Sequence, residues 1–424
     1  MTAVAPPGLL DRAATAAAHA CDLVATPPAP TSGSDLGPAS PRWWNQSLSK
    51  GAAGIAVLHG IRARQGLADP ARTHQWLARA VREELSAAAS AGLWFGAPAV
   101  AYAIDTAAPG RYRRAMVHLD AAVARLTQAR LAAAHARIAA GRLPTLSEFD
   151  LVRGLTGLGA YLLQRHPDGE LVRHVLSYLV RLTEPLPPHD TAGSGLPGWW
   201  SADPPAGASV DRFPGGHGNL GMAHGIAGPL ALLATAMRRG ITVADQDVAV
   251  ARISDWLTAW RQPGPAGPWW PEYIGMAELR ARHPDQKGPA RPSWCYGTPG
   301  LSRALRLAAI ARNDRPGQRA AEHALACCLA DPTQLARLVD PSMCHGWAGV
   351  TAIAHTAAAD ATTALIHPHL PRLTETCIDQ TNRLATTPPG LIDGIAGLAL
   401  TLHTIAAENP APEGFRWAAC LLMA

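Results

Sequence analysis

A pair of glycines three residues apart recurs along this chain and constrains its fold more than any other feature. The first glycines of successive pairs lie between 45 residues (Gly51 to Gly96) and 72 residues (Gly225 to Gly297) apart. Periods of this length accommodate two helices and their turns, the unit of helical repeat proteins. Seven copies are present, the second with Ala99 in place of the second glycine; their first glycines are Gly51, Gly96, Gly154, Gly225, Gly297, Gly346 and Gly394.

Each glycine pair opens a run of small apolar residues with almost no charge, such as 225–237 and 394–403. Such runs are typical of helices that are buried on most sides. Buried helices that alternate with amphipathic ones indicate two concentric rings, so we predict an all-α fold, an α/α toroid of seven helical hairpins. The amphipathic stretches lie at 70–91, 111–140, 243–261, 318–330 and 370–384.

The repeats predict one toroid domain over residues 43–424, because they run through nearly the whole chain. Residues 1–42 are rich in Ala and Pro and are expected to form an N-terminal extension that is only partly helical. Residues 187–219 are dense in Pro, Gly and Trp, which predicts a long surface loop or a small insertion. Two uncharged runs, 86–104 and 213–237, have the length of a membrane span. Gly and Pro interrupt both and each contains a repeat motif, so no transmembrane segment is expected.

The residue before each first glycine is expected at the start of an inner helix. Repeat symmetry then brings seven such residues to one end of the ring. Because Lys50 belongs to the first repeat and Asp393 to the last, we expect these two to pair where the ring closes. The seven residues are Lys50, Phe95, Arg153, His224, Tyr296, His345 and Asp393.

Two segments at consecutive repeats, Trp294-Cys295-Tyr296-Gly297 and Cys344-His345-Gly346, place two thiols and one imidazole in equivalent positions. A catalytic zinc site has three protein ligands and one open position, whereas a structural zinc site is closed by four protein ligands. We therefore predict a Zn²⁺ site that is formed by Cys295, Cys344 and His345.

The total of seven cysteines is odd and lacks disulfide spacing, which favours a reducing compartment, the cytoplasm. No basic segment followed by an apolar stretch marks a secretory signal. The net charge of +5 is mild and no Lys/Arg-rich block occurs, so no nucleic-acid partner is expected. Four cysteines in helical segments are interpreted as small buried hydrophobic residues: Cys327, Cys328, Cys377 and Cys420.

The motifs resemble those of the lanthionine synthetase C-like cyclases. The resemblance rests on the two cysteine segments, on Ala223-His224-Gly225-Ile226-Ala227-Gly228 and on Asp150-x-x-x-Gly154-Leu155-x-Gly157, and it extends over the seven repeats. The segment His217-Gly218-Asn219 adds another histidine before the second of these motifs. The resemblance implies an α/α toroid with a catalytic zinc, whose ligands fall on the two cysteines and the histidine that the spacing singles out.

The same resemblance implies catalytic roles for four further residues. The histidine linked to proton transfer falls on His224 and its acidic companion on Asp150, while Tyr296 and Arg291 match polar positions near the site. His224 is suited to act as a general acid because imidazole titrates near neutral pH. Asp150 also fits a helix N-cap before Gly154. Tyr296 and Arg291 are candidates to stabilise an enolate, and Arg291 fits a surface salt bridge equally well.

The reaction that the resemblance implies closes thioether rings in a dehydrated precursor peptide. A cysteine thiol adds to dehydroalanine or dehydrobutyrine, and lanthionine or methyllanthionine forms. Because the repeats leave no room for a dehydratase domain, a separate dehydratase and an exporter are expected as partners. Two alternatives remain: a zinc-dependent protein that binds thiols or adds glutathione, and an α/α-toroid glycoside hydrolase with Asp150 and Asp393 as its carboxylates. The hydrolase leaves the Cys/Cys/His set unexplained.

Overall fold

Each glycine pair begins an inner helix. The computed structural model describes residues 8–28, 44–186, 195–205, 210–407 and 415–423. Within these ranges seven inner helices form a ring: α2 (Ala52–Arg64), α4 (Ala97–Ala107), α7 (Leu155–Arg165), α9 (Ala227–Arg238), α12 (Thr298–Ala311), α15 (Trp347–Ala359) and α17 (Ile395–Ala406). The ring is closed, since each inner helix contacts the next and α17 contacts α2. The predicted toroid of seven hairpins is therefore confirmed.

Each inner helix packs against an outer helix. The outer helices are α1 (Leu9–Leu23), α3 (Pro70–Ala80), α5 (Arg113–Ala139), α8 (Glu170–Leu182), α10 (Gln246–Ala259), α13 (Arg315–Ala330) and α16 (Leu370–Gln380). They are amphipathic: in α8 the buried residues Val172, Val175, Leu176 and Leu179 recur at helical spacing. The connections contain α6 (Leu146–Phe149), α11 (Met276–Ala281), α14 (Pro332–Leu335), β1 (His217–Asn219) and β2 (Tyr273–Gly275). The 3₁₀ turns are Trp44–Gln46, Val210–Arg212, His367–His369, Thr381–Thr386 and Arg416–Leu421.

Helix α1 serves as the outer helix of the seventh hairpin, although it comes first in the chain. It packs against α17 and α16, and Ala13, Ala17 and Cys21 on one of its faces are buried. The helical part of the expected N-terminal extension thus completes the ring. Residues 1–7 and 29–43 lie outside the described ranges. Local periodicity could not reveal this pairing, since the partner helix lies in the last repeat.

The second glycine of a pair allows neighbouring repeats to approach closely. A Cβ atom at Gly54 would overlap with the carbonyl oxygen of Leu48, in the turn before α2, and with the side chain of Leu391 in the last repeat. A larger residue would push the helix off its own turn and off its neighbour. The same two kinds of contact recur at Gly157, Gly228, Gly300 and Gly397.

Backbone hydrogen bonds join the turns that precede neighbouring inner helices. Between the last and first repeats, Ile392 N–H donates to the carbonyl oxygen of Ser49 at 3.0 Å. Lys50 Nζ lies 3.4 Å from Asp393 Oδ2 at the same junction, so the predicted ring-closing pair is confirmed. Comparable bonds run from Leu48 to Trp94, from Leu151 to Ala223, from Met222 to Cys295, from Cys295 to Cys344 and from Met343 to Ile392.

The junction between the second and third repeats is built differently. A guanidinium group from outer helix α5 spans it: Arg130 donates to the carbonyl oxygens of Arg153 on one side and of Ala89 and Ala91 on the other. Within the segment 44–186, the Arg130 side chain therefore joins the second and third repeats, whereas backbone N–H groups join the turns at the other junctions.

The segment 415–423 fills the middle of the ring. Its carbonyl oxygens accept hydrogen bonds from inner-ring side chains: Trp417 O from Tyr102 Oη at 2.8 Å, Leu421 O from Trp294 Nε1 at 2.9 Å and Met423 O from Arg303 Nε at 2.7 Å. The donors belong to the second and fifth repeats, and the segment also contacts α7 and α17. Only a segment on the axis of the ring meets helices from so many sides.

A two-stranded antiparallel ribbon lies beside the ring. Strand β1 pairs with β2 so that Asn219 faces Tyr273 and His217 faces Gly275. The expected insertion at 187–219 ends in β1, and its residues 187–194 and 206–209 lie outside the described ranges. Trp199 and Trp200 of this segment are buried, so this part of it belongs to the core and is not a surface loop.

None of the helices that can be described has both the length and the apolar character needed to cross a membrane. The two uncharged runs of the sequence instead contribute α4 and α9 to the inner ring.

All seven cysteines are free. Cys328, Cys377 and Cys420 are buried as predicted, but the prediction is wrong for Cys327. The Cys327 side chain is half-exposed on α13, where its sulfur lies 3.5 Å from His323 Nε2 one helical turn earlier.

Replacing Trp417 with alanine should destabilise the ring, because this buried indole packs on its axis and donates to Thr404 Oγ1 at 3.0 Å. Truncation of a buried Trp costs about 3–5 kcal/mol. Urea unfolding followed by circular dichroism measures the change. Val117→Ala, at an exposed side chain on α5, is the control and should change the free energy of unfolding by less than about 0.5 kcal/mol. Equal unfolding midpoints for both variants would contradict an axial packing role.

Candidate metal centre

The turns before the inner helices surround one cavity of about 500 Å³. All seven residues that stand two positions before a first glycine line it: Ser49, Trp94, Val152, Ala223, Cys295, Cys344 and Ile392. Five of the seven residues that directly precede a first glycine line it as well: Arg153, His224, Tyr296, His345 and Asp393. Repeat symmetry therefore does bring these positions to one end of the ring.

Cys295, Cys344 and His345 converge at this cavity. Cys295 lies in the turn before α12, and the other two lie in the turn before α15 of the next repeat. A backbone bond from Cys295 N–H to Cys344 O, 3.2 Å long, holds the two turns together. One ligand atom from each side chain lies within 4.8 Å of the others. In the part of the chain that the structure describes, no other three His, Cys, Asp or Glu side chains meet this criterion.

The two thiols interact strongly. A hydrogen bond from Cys344, helped by His345, holds the pKa of the Cys295 thiol well below its usual range, and the same contact raises the pKa of Cys344. The contact with Cys295 also raises the pKa of His345. The cluster thus stabilises negative charge on sulfur, as a site for a soft divalent cation requires.

An acidic residue that the sequence did not single out stands behind His345. Asp340 Oδ2 lies 3.6 Å from His345 Nε2, and Asp340 Oδ1 accepts the backbone N–H of Ser342 at 2.8 Å. With Nε2 facing this carboxylate, Nδ1 is the nitrogen left for a metal. Carboxylates commonly orient metal-binding histidines in this way. The only sequence signal is that Asp340 precedes the motif by four residues.

His224 and Asp150 form a second polar pair at the cavity. His224 Nδ1 lies 2.7 Å from Asp150 Oδ2, and the carboxylate is fully buried. The other carboxylate oxygen, Oδ1, accepts the backbone N–H groups of Arg153 at 2.5 Å and Gly154 at 2.9 Å. Asp150 is thus the hydrogen-bond partner of His224, and it caps the turn before α7, whose N-cap residue is Gly154 and not Asp150.

The capping position explains how Asp150 reaches His224. Serines four residues before a first glycine also accept backbone N–H groups of their turns: Ser47 from Lys50, Ser293 from Tyr296 and Ser342 from His345. A serine has a single side-chain oxygen for this bond, whereas a carboxylate keeps a second one. Asp150 uses that second oxygen to contact the histidine of the next repeat.

Of the two remaining candidate residues, Tyr296 and Arg291, only Tyr296 lines the cavity. Burial raises the pKa of its phenol above the usual range. Arg291 is half-buried and is not part of the cavity lining, although its charge acts on Cys344 and His345.

An aromatic cluster connects the ribbon to the cavity. The ring of His217 stacks on Phe213 with centroids 4.8 Å apart, and Tyr273 lies 5.5 Å from His217 and 5.3 Å from Tyr296. Burial lowers the pKa of His217 to about 4, so its imidazole is neutral near pH 7. The additional histidine of the sequence does not line the cavity but packs against Tyr273, which does.

A closed ring of helical hairpins with two thiols and an imidazole at one end defines an α/α toroid with the ligand set of a metalloprotein. A family model described as "Lanthionine synthetase C-like protein" matches residues 42–422. The chain belongs to this family. Among solved structures it is similar to "Nisin cyclase", with 19% sequence identity, a TM-score of 0.75, and coverage of 90% of this chain and 93% of that chain. At this identity the likeness shows the common fold. No curated protein matches the sequence significantly.

The neutral His217 predicts a dependence of stability on pH. Its pKa is about 4 in the folded protein, below the usual value of 6.5 for a histidine side chain. Below pH 6.5 the unfolded chain takes up a proton that the folded chain does not. The free energy of unfolding should therefore decrease as the pH is lowered from 6.5 to about 4, by at most about 1.4 kcal/mol per pH unit. His217→Phe should remove this contribution. Urea unfolding at several pH values tests it, with exposed His118→Phe as control; an unchanged slope in His217→Phe would refute the assignment.

Proposed function

We propose that this protein is a zinc-dependent lanthipeptide cyclase. It adds cysteine thiols to dehydroalanine or dehydrobutyrine in a dehydrated precursor peptide and forms lanthionine or methyllanthionine rings. One observation carries the proposal: a three-ligand sulfur and nitrogen set shares a cavity with a histidine that is hydrogen-bonded to a buried carboxylate. Membership of the lanthionine synthetase C-like family supports it.

The donor set fits zinc. Two sulfurs and one imidazole are typical zinc ligands, and a three-residue set leaves a position for a substrate. Cys295, Cys344 and His345 would hold the ion. When bound, the zinc supplies a Lewis acid that lowers the pKa of a substrate thiol, which is otherwise near ~8.5 and mostly protonated at neutral pH. The cavity wall around the set is largely apolar, with Trp94, Val152 and Ile392.

The residues of the chain account for the proton balance of the reaction. A carbon–sulfur bond forms at the β-carbon, the electrons of the double bond move to the amide enolate, and the α-carbon takes up a proton. The thiol loses one proton, so none is gained or lost overall. We assign delivery of the α-carbon proton to His224, because Asp150 binds Nδ1 at 2.7 Å, which leaves Nε2 to exchange a proton with the substrate.

Negative charge on the enolate oxygen requires a hydrogen-bond donor. Tyr296 lines the cavity and its phenol stays protonated, because burial raises its pKa. We therefore assign the enolate contact to Tyr296 and a supporting electrostatic role to Arg291, which lies outside the lining. A separate dehydratase would supply the dehydrated peptide, and an exporter would act after cyclisation.

The arrangement of carboxylates argues against the hydrolase alternative. Glycoside hydrolysis needs two carboxyl groups that flank the substrate bond. Asp150 has no exposed surface and binds His224, while Asp393 pairs with Lys50 at 3.4 Å. Neither is left to act on a glycoside.

Purified protein mixed with a dehydrated precursor peptide tests the function. Cys295→Ala and Cys344→Ala should lose zinc and ring formation together, whereas His224→Ala should keep zinc and lose about 10²–10⁴-fold in rate. Metal analysis measures zinc, and mass spectrometry after alkylation counts the free thiols. Half-exposed Cys327→Ala serves as the control. Ring formation at wild-type rate in a zinc-free variant would refute the proposal, and addition of glutathione in place of ring closure would favour the thiol-adding alternative.

Asp340→Asn should weaken zinc binding about 10- to 100-fold, because its carboxylate orients His345. Competition with a chromophoric chelator measures the affinity. Asp331→Asn is a matched control, since Asp331 caps the short helix α14 through Thr333 N–H at 2.9 Å. If both variants bound zinc as the wild type does, Asp340 would have no part in the site.

A further inference from the structure

We infer that Asn219, on strand β1, is a positioning residue that makes the hydroxyl group of Tyr296 a hydrogen-bond donor to the substrate. The inference rests on the proposed function and deepens it, since it names what sets the direction of the contact with the enolate. Asn219 is 1% exposed, and the sequence assigned it no role.

The orientation of the Asn219 amide is fixed by the backbone. Gly221 N–H donates to Asn219 Oδ1 at 3.0 Å. A backbone N–H can only donate, so the oxygen of the amide must face Gly221 and the NH₂ group must face the other way. In that direction Asn219 Nδ2 donates to Tyr296 Oη at 2.9 Å.

A phenol oxygen that accepts a hydrogen bond still carries its own proton. Because the Asn219 amide occupies the oxygen as a donor, the Tyr296 O–H bond must point elsewhere. Both Tyr296 and its neighbour Tyr273 line the cavity, and the two rings lie 5.3 Å apart. The hydroxyl group of Tyr273 is a hydrogen-bond partner of Tyr296. An oxygen atom of the substrate therefore has to replace Tyr273 as the acceptor of the Tyr296 proton, as stabilisation of an enolate requires.

Asn219 also connects Tyr296 to the turn that contains His224. Its carbonyl oxygen accepts the N–H of Ile226 at 2.9 Å, and a Cβ atom at Gly225 would overlap with Asn219 Oδ1. Across the ribbon Asn219 is the register partner of Tyr273. Asn219 thereby holds His224, the proposed proton donor to the α-carbon, at a fixed distance from Tyr296, the proposed donor to the enolate oxygen.

Asn219→Asp tests the direction of the hydrogen bond without a change of size. The introduced carboxylate still accepts Gly221 N–H, but towards Tyr296 it accepts a proton where the amide donated one, and it draws the phenol O–H away from the substrate. We expect Tyr296→Phe to lose about 100-fold in kcat, the effect of one lost oxyanion donor. Asn219→Asp should lose 10-fold or more, with zinc content unchanged. The double variant should be no slower than Tyr296→Phe alone, because both changes remove the same contact.

A pH profile separates this role from a merely structural one. At low pH the introduced carboxyl group takes up a proton and becomes able to donate to Tyr296. The rate of Asn219→Asp divided by that of the wild type should therefore rise as pH falls, and the division removes the titration of His224 and of other groups common to both proteins. Gln246→Glu is the matched control: this amide, at the start of outer helix α10, is 2% exposed; it accepts the N–H of Val243 and donates to the carbonyl oxygen of Leu233. Its ratio should not depend on pH.

The outcomes distinguish the two levels of the argument. A wild-type protein that forms no rings refutes the proposed function. An active wild type with an equally active Asn219→Asp variant, with multiplied losses in the double variant, or with a flat pH ratio refutes the role of Asn219 alone.

Discussion

The hydrogen bonds between the turns of neighbouring repeats are the constraint on which the rest of the structure depends. At six of the seven junctions a backbone N–H of one turn donates to a carbonyl oxygen of the next turn, and the last such bond joins Ile392 to Ser49. At the remaining junction Arg130 makes the connection. In most repeats a glycine at the first turn of the inner helix favours this close approach, because it has no side chain to hold the repeats apart. The cavity and its lining residues follow directly, since every turn presents its side chains to the same space.

The chemistry of the site comes from small departures from this regular scheme. At the position four residues before a first glycine, Ser293 and Ser342 cap their turns through a single oxygen, but Asp150 has a second oxygen that binds His224. At the position two residues before, two of the seven lining residues are cysteines from adjacent repeats. A ring of similar turns thus supplies the geometry, and a few polar side chains in consecutive repeats form the candidate site.

The sequence predicted the seven inner helices, the cluster of residues before the glycines and the Lys50–Asp393 pair, because all of these follow from a repeat that is written locally in the chain. It did not predict that α1 completes the ring or that segment 415–423 fills it, because both pack against residues far away in sequence and have no motif of their own. Asp340 and Asn219 were missed for a similar reason. Their importance lies in which atom faces His345 or Tyr296, and spacing does not encode that direction.

The axial segment has a consequence for how the molecule folds. Tyr102 and Trp417 are 315 positions apart, and Arg62 and His403, which also meet at the ring closure, are 341 positions apart. Hairpins of adjacent helices can form early because their contacts are local, but the axis cannot be filled until nearly the whole chain has been gathered. Formation of the cavity is therefore coupled to the slowest contacts of the fold, and a partly folded chain would carry the cysteines without the geometry that brings them together.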